Sequence, residues 1–366
     1  MDKLKILIFN WRCWLNPEAG GAEFFTREVA RRWAEQGHKV TLFSSEFHGC
    51  KMEEILDGIK VVRAGGQFGV YWNAKKYYKN RFSKEGYDVI VDEINTMPFF
   101  TPRFVNNGER IVCLIHQLAR EFWFYETPFP ISLVGYYILE NRWLKNYVNV
   151  PAVTVSDSSE RDLKDLGFDK IFIVHNGLNV EPVSDIPEKS ERPSIVFVGR
   201  MKKIKRPGDV VEAFRIVNKK ISGSELWIIG DGYLRGSLES KADSGVRFFG
   251  HADDETRNDL VRRAWVIAVP SVREGWGQVV TDANALGTPA VGYNVPGLKD
   301  SIRDGFNGLL VECSPRALAD GIMKVLSDEV LREDLSRNAI KWSRQFSWDR
   351  CAEQFLKILT GVVSEQ

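Results

Sequence analysis

The sequence predicts an α/β protein made of two doubly wound, Rossmann-like parallel sheets, one in each half of the chain. Short apolar runs alternate with helical patterns throughout, the rhythm of βα units that lay parallel strands side by side. The length of 366 residues suits two domains, and a 44% hydrophobic content is enough for two cores. The rhythm breaks at Asn179–Pro193, a polar stretch with three prolines that reads as a linker. The expected organisation is a first domain over 1–180, a linker over 181–193 and a second domain over 194–345.

The elements follow in order. Lys3–Phe9 is an apolar strand, buried on both faces if its neighbours are parallel. A loop over Asn10–Gly21 leads into a helix to about Gln36, with Ala22, Phe25, Val29 and Trp33 at helical spacing and Gly37 as its stop. Strands are expected at His38–Ser44, Ile59–Arg63, Tyr87–Glu93, Arg110–His116, Ala152–Ser156 and Ile171–His175. In the second half they fall at Ser194–Arg200, Glu225–Gly230, Val246–Gly250, Val266–Val269, Ala290–Tyr293 and Leu309–Glu312. Helices are expected at Asp253–Ala264, Gln278–Gly287, within Pro315–Arg344, and from Ser347 to about Leu359. Ligands of such sheets gather at the carboxyl ends of the strands. His116, Ser156 and Asn176-Gly177 all follow strand ends and are expected to point that way.

Composition excludes several classes. Lys plus Arg is 50 against 49 for Asp plus Glu, a net charge of +1, so no basic field for nucleic acid exists. Met1–Phe9 is too short and too charged for a signal peptide, and no apolar run reaches membrane-spanning length. The expected location is the cytoplasm. The five cysteines are scattered without a Cys-x-x-Cys pair, so neither a zinc site nor a disulfide framework is indicated.

The chemistry concentrates in Val269–Tyr293. After a strand and a Pro-Ser turn come Arg273-Glu274-Gly275-Trp276-Gly277, then a helix. A glycine loop between strand and helix aims backbone N–H groups and a positive dipole end at one point, which suits phosphate. Glu274 in that loop and Asp282 eight residues on are poor phosphate ligands but good acceptors for neighbouring hydroxyls, which indicates a sugar. Arg200 and Lys205 follow the first strand of the second half and would complete an anion clamp. Gly20-Gly21 offers a second strand–loop–helix anion geometry, without the Gly-x-Gly-x-x-Gly dinucleotide fingerprint.

Glu274 with Asp282 resembles the Glu-x7-Glu region of the retaining family 4 glycosyltransferases, which have the two-domain GT-B fold with an interdomain cleft. Asp282 is one methylene shorter than the family residue. The resemblance implies that Glu274 contacts the donor sugar and Asp282 the nucleotide ribose. It places Arg200, Lys205 and the loop Gly275, Trp276 and Gly277 on the donor diphosphate, with Gly20 and Gly21 facing it from the first domain. Phe249-Gly250 would lie near the base, and His116 would hydrogen-bond the donor sugar near the reacting carbon. The terminal helix, 346–362, would cross back onto the first domain. The implied activity moves a hexose from a nucleoside-diphosphate sugar to a glycan or lipid-linked acceptor, without a metal or other cofactor. No Asp-x-Asp occurs, which disfavours the metal-dependent alternative fold. A sugar-nucleotide epimerase on the same fold and a catalytically silent binding homologue remain open readings.

Two segments mix aromatic and basic residues. Val70–Lys84 carries Tyr71, Trp72, Tyr77, Tyr78 and Phe82 among Lys75, Lys76, Lys79, Arg81 and Lys84. Arg120–Tyr147 is denser in aromatics. They fit either peripheral contact with an anionic membrane or helices packing their aromatics on the sheet. The second segment follows His116 directly and is expected to wall the acceptor site.

Overall fold

The computed structural model describes residues 3–105 and 108–364. The chain divides into two compact units. Unit 1 comprises residues 1–123, 129–177 and 347–366, and unit 2 comprises 124–128 and 178–346.

Unit 1 holds strands β1 (Lys5–Phe9), β2 (Lys39–Ser44), β3 (Glu53–Leu56), β4 (Ile59–Arg63), β5 (Val89–Glu93), β6 (Arg110–Leu114), β7 (Ala152–Thr154) and β8 (Ile171–Ile173). They form one sheet in the order β3-β4-β2-β1-β5-β6-β7-β8. All pairs are parallel except β3 with β4. The order reverses direction between β1 and β5, so their carboxyl ends flank the crevice where such sheets bind ligands. The central strands are buried on both faces, as Ile6–Phe9 and Val89–Glu93 show. Helix Gly21–Glu35 covers one face, and Trp33 anchors it to the terminal helix Trp348–Ser364 by donating from Nε1 to the Ala352 carbonyl at 2.9 Å.

Unit 2 holds β9 (Ser194–Val198), β10 (Glu225–Ile229), β11 (Val246–Gly250), β12 (Val266–Val269), β13 (Ala290–Tyr293) and β14 (Gly308–Val311). Their order is β11-β10-β9-β12-β13-β14, entirely parallel, with the reversal between β9 and β12. One core lies on each face, around Phe197, Phe214 and Leu226 on one side and Trp227, Val280 and Leu286 on the other.

The structure differs from the sequence-based expectation in three places, and for Val70–Lys84 it matches one of the two readings left open, helices packing aromatics on the sheet. Strand β3 was not expected. Its four residues, Glu-Glu-Ile-Leu, are half charged, yet Asp57 and Gly58 both take positive φ and make the hairpin turn that Asp-Gly favours. Ser156 is a fully buried helix cap: its side chain accepts from the Ser159 amide at 3.2 Å and is directed into the helix start. The expected linker is packed on unit 2. Val183 donates to the Ala285 carbonyl at 2.9 Å, and Lys189 Nζ donates to the carbonyls of Arg262 and Gly287, each at 2.9 Å. In the Val70–Lys84 segment Tyr78 and Phe82 are core residues, Tyr71 and Tyr77 are half-buried, and Trp72 is exposed.

A buried amide pair ties unit 2 together. Asn307 Nδ2 donates to Asn284 Oδ1 at 2.6 Å and to the Ser301 carbonyl at 2.9 Å, while its Oδ1 accepts from the Arg303 amide at 2.7 Å. Both side chains are wholly buried. Asn307→Ala strands three polar groups without water, so urea unfolding of that variant is expected to show a loss of about 2–3 kcal/mol with an unchanged m-value.

Candidate active site

The reversal point of unit 2 gathers most of the expected donor residues. The loop after β9 carries Gly199, Arg200 and Lys205, and the loop after β12 carries Glu274 to Gly277. A backbone bond from Val272 N to the Ile204 carbonyl, 3.0 Å, ties these loops together. Lys205 Nζ donates directly to Glu274 Oε1, with both side chains mostly sheltered. The residues expected on diphosphate and on sugar are therefore ion-paired. Arg200 is solvent-exposed on the same loop.

Gly277, at φ 82°, opens helix Gln278–Ala285, and a Cβ there would meet Ser301 Oγ at 2.6 Å. The glycine is thus needed both for backbone angle and for space. Trp276 turns its ring into the core, edge-on to Phe346 at 5.1 Å, so it can offer the site a backbone amide rather than its indole.

Asp282 lies in the following helix. Its Oδ1 accepts from the Asn179 amide at 2.9 Å and from Gln278 Nε2 at 2.9 Å, and its Oδ2 accepts from Asn179 Nδ2 at 2.8 Å. A carboxylate has about four acceptor sites. Three are used, leaving capacity for one hydroxyl. Burial pushes the Asp282 carboxyl up to about 6, against the pull of its three donors.

Phe249 departs from the expected grouping. β11 alternates its side chains, so Phe248 packs on a core while Phe249 lines a groove of about 850 Å³ with Trp227, Arg247 and Lys189. Glu274 and Asp282 do not line that groove. Gly250 sits at the strand end, its carbonyl accepting from the Gly230 amide at 2.7 Å.

In unit 1, Gly20 and Gly21 start helix Gly21–Glu35. The Gly20 amide already donates to Glu23 Oε2 at 2.7 Å, and the other Glu23 oxygen accepts from Arg12 Nε at 3.1 Å. An internal carboxylate thus occupies this helix end. His116 lies just past β6, its ring edge-on to Phe25 at 4.9 Å. Its Nε2 is 3.4 Å from Glu93 Oε1, too long for a well-formed hydrogen bond. Glu93 ends β5 at the reversal point and is fully buried. Burial drives its carboxyl upward, opposed by His116 and by Thr26, whose hydroxyl donates to Oε2.

Sequence reasoning missed three residues here. Glu93 was read only as a strand terminus, although a charged residue closing an apolar strand at the reversal point was a usable signal. Asn179 fell in the expected linker. The third is Gly297: at φ 81° its Cβ position lies 2.0 Å from the Glu274 carbonyl oxygen. Glu274 N also donates to the Pro296 carbonyl at 3.1 Å. No group of three or more His, Cys, Asp and Glu side chains that could hold a metal occurs among the described residues.

Residues 182–342 match the model of the glycosyl transferases group 1, and residues 19–182 match that of Glycosyltransferase Family 4. The phosphatidyl-myo-inositol mannosyltransferase of Mycobacterium leprae is 30% identical over 223 residues, 58% of this chain and 59% of that protein. The chain spans between 40% and 61% of the length of the first three curated relatives it matches. Among solved structures, sucrose-phosphate synthase from Thermosynechococcus elongatus superposes with a TM-score of 0.83 over 100% of both chains at 20% identity. Anabaena HepE in complex with UDP and glucose gives 0.71 over 98% of this chain and 100% of that one, at 16% identity. The protein belongs to the family 4 glycosyltransferases, and its two parallel-sheet units are those of the GT-B fold.

Two outcomes follow from the geometry. Gly297→Ala cannot be accommodated without moving the Glu274 backbone, so it is expected to lower turnover far more than it lowers the melting temperature. Steady-state rates beside thermal unfolding check this. For Asp282, an acid whose folded value lies above its ordinary 3.8 holds its proton more tightly when folded. Stability should therefore fall as pH rises from 3.8 to about 6 and level off above. Asp282→Asn should flatten that slope in denaturation measured across the window.

Proposed function

We propose that the protein is a retaining glycosyltransferase that moves a hexose from a nucleoside-diphosphate sugar to a glycan or lipid-linked acceptor. The observation that carries this reading is the pairing of Lys205 with Glu274 beside Arg200 at the strand reversal of unit 2. Cations for a diphosphate and a carboxylate for sugar hydroxyls meet there on neighbouring loops. The complex of HepE with UDP and glucose supports a nucleotide-sugar donor, and the mannosyltransferase relative supports a lipid-borne acceptor.

In this mechanism Lys205 exchanges Glu274 for the diphosphate, and the released carboxylate takes a hydroxyl of the donor sugar. The bond from the anomeric carbon to the β-phosphate oxygen breaks. Arg200, Lys205 and the amides of residues 275–277 receive the charge that develops on the leaving diphosphate. The acceptor oxygen bonds to the anomeric carbon on the same face, and its proton passes to the leaving phosphate. Asp282 would use its remaining acceptor capacity for a ribose hydroxyl. His116, backed by Glu93, would hold the donor sugar near the reacting carbon. No step needs a metal, so EDTA should leave the rate unchanged.

The roles separate by substitution. Arg200→Ala and Lys205→Ala are expected to weaken calorimetric binding of the bare nucleoside diphosphate by about tenfold each. Glu274→Ala should bind it at least as well as the parent, because Lys205 loses a competing partner, while turnover falls on the order of a hundredfold. His116→Ala should likewise lose turnover and keep binding. Incubation with a panel of nucleotide sugars and simple acceptors tests the reaction itself. Transferred or slowly hydrolysed sugar supports it, epimerised donor replaces it with an epimerase, and no turnover removes it.

A further inference from the structure

One helix of unit 1 is turned inside out. Residues 131–144 form a continuous helical run, with a wider turn over Gly135–Leu139. Its inward face is small or polar over its first turns, and Leu144 joins the core at its far end. Ser132 and Gly135 are buried, and a Cβ on Gly135 would fall 2.2 Å from the Trp123 ring. Glu140 is 1% exposed and accepts from the amides of Ala119 and Arg120, the latter at 3.0 Å. Those bonds pin the orientation of the helix, because turning Glu140 outward would strand two backbone donors.

The outward face is apolar and then basic. Ile131, Val134 and Ile138 are exposed at spacings of three and four, flanked by Tyr137 at 64% exposure. The same stripe continues four and seven residues on with Arg142 and Lys145, both exposed. Between Phe129 and Val148 the only carboxylate in the sequence is Glu140, which is buried. Exposed aliphatic side chains in register on a helix are not explained by packing.

We infer that this stripe seats the protein on an anionic lipid surface. The aliphatic turns enter the boundary between headgroups and acyl chains, while Arg142 and Lys145 remain among the phosphates. Charge selects this occupant. A second copy laid antiparallel on the same stripe would press the Arg142 and Lys145 of each copy onto apolar side chains, with no carboxylate on the stripe to pair them. A lipid surface leaves both cations solvated and gives each an attractive partner. The stripe also differs from the Val70–Lys84 segment, where only Trp72 of the segment's aromatics is exposed. The inference rests on the lipid-linked acceptor reading for its purpose, since docking would concentrate the enzyme where such an acceptor lies, but not for its geometry. Among the described residues no helix is long and apolar enough to cross a membrane.

Flotation of the whole protein with vesicles of phosphatidylcholine, alone or with phosphatidylglycerol, tests it. The parent is expected to float with the anionic vesicles and to be released as salt rises. The triple variant Ile131→Ser, Val134→Ser, Ile138→Ser should float about tenfold less or worse, and Arg142→Ala with Lys145→Ala should lose most of the salt dependence. Circular dichroism and the cooperative thermal transition should be unchanged in the triple variant, which shows that it is folded. Parent protein that fails to float, or that floats equally on neutral vesicles, overturns the inference. So does a triple variant that floats like the parent. A dimer in sedimentation velocity that the triple variant abolishes, without vesicle binding, assigns the stripe to a second copy instead. Flotation of a parent that hydrolyses no nucleotide sugar leaves the docking intact and counts only against the transfer reaction.

Discussion

The contact between Lys205 and Glu274 governs what unit 2 can do. Two opposite charges sit on loops that leave adjacent strands at the one point where the strand order reverses. Each satisfies the other, so neither ion is left sheltered and unpaired. Under the proposed function, binding would be an exchange: a diphosphate would replace Glu274 at Lys205, and hydroxyls would replace Lys205 at Glu274. The backbone bond between Val272 and Ile204 and the close approach of Gly297 to Glu274 hold the loops in place.

Unit 1 repeats the architecture with the opposite charge. Its reversal point presents Glu93, and the helix end beside its glycine loop is capped by Glu23. A helix N-terminus that already holds a carboxylate is a weaker phosphate site than one that holds none. Under the proposed function, the reversal point of unit 2 would therefore be the better of the two sites for a diphosphate. Asp282 belongs to a third pattern. Its carboxyl is held by Asn179, from the first residues of unit 2, so the segment entering the unit and the candidate ribose site share one group.

The fold class was legible because its signals are local. Apolar runs of strand length, helical spacing of Ala22, Phe25, Val29 and Trp33, and glycines at loop–helix junctions each depend on near neighbours in the chain. The order of charged residues after β9 and β12 was legible for the same reason. Strand β3 was not, because four half-charged residues make no periodic pattern, and only Asp57-Gly58 marked the turn.

By itself, the sequence determined that the chain forms parallel βα units, where their strands fall, and which charges follow which strand. Tertiary structure decided which of those charges meet. Lys205 and Glu274 are 69 residues apart, and Asn179 and Asp282 are 103 apart. It also decided that Phe249 faces a separate groove and that Ile131, Val134 and Ile138 are exposed while Leu144 of the same helical run is buried. Local periodicity cannot carry this information. It specifies what a segment prefers to be, whereas partners depend on strand order and on which face competes best for burial. Glu140 is an example: it accepts from two backbone amides that lie 20 and 21 residues away in the chain.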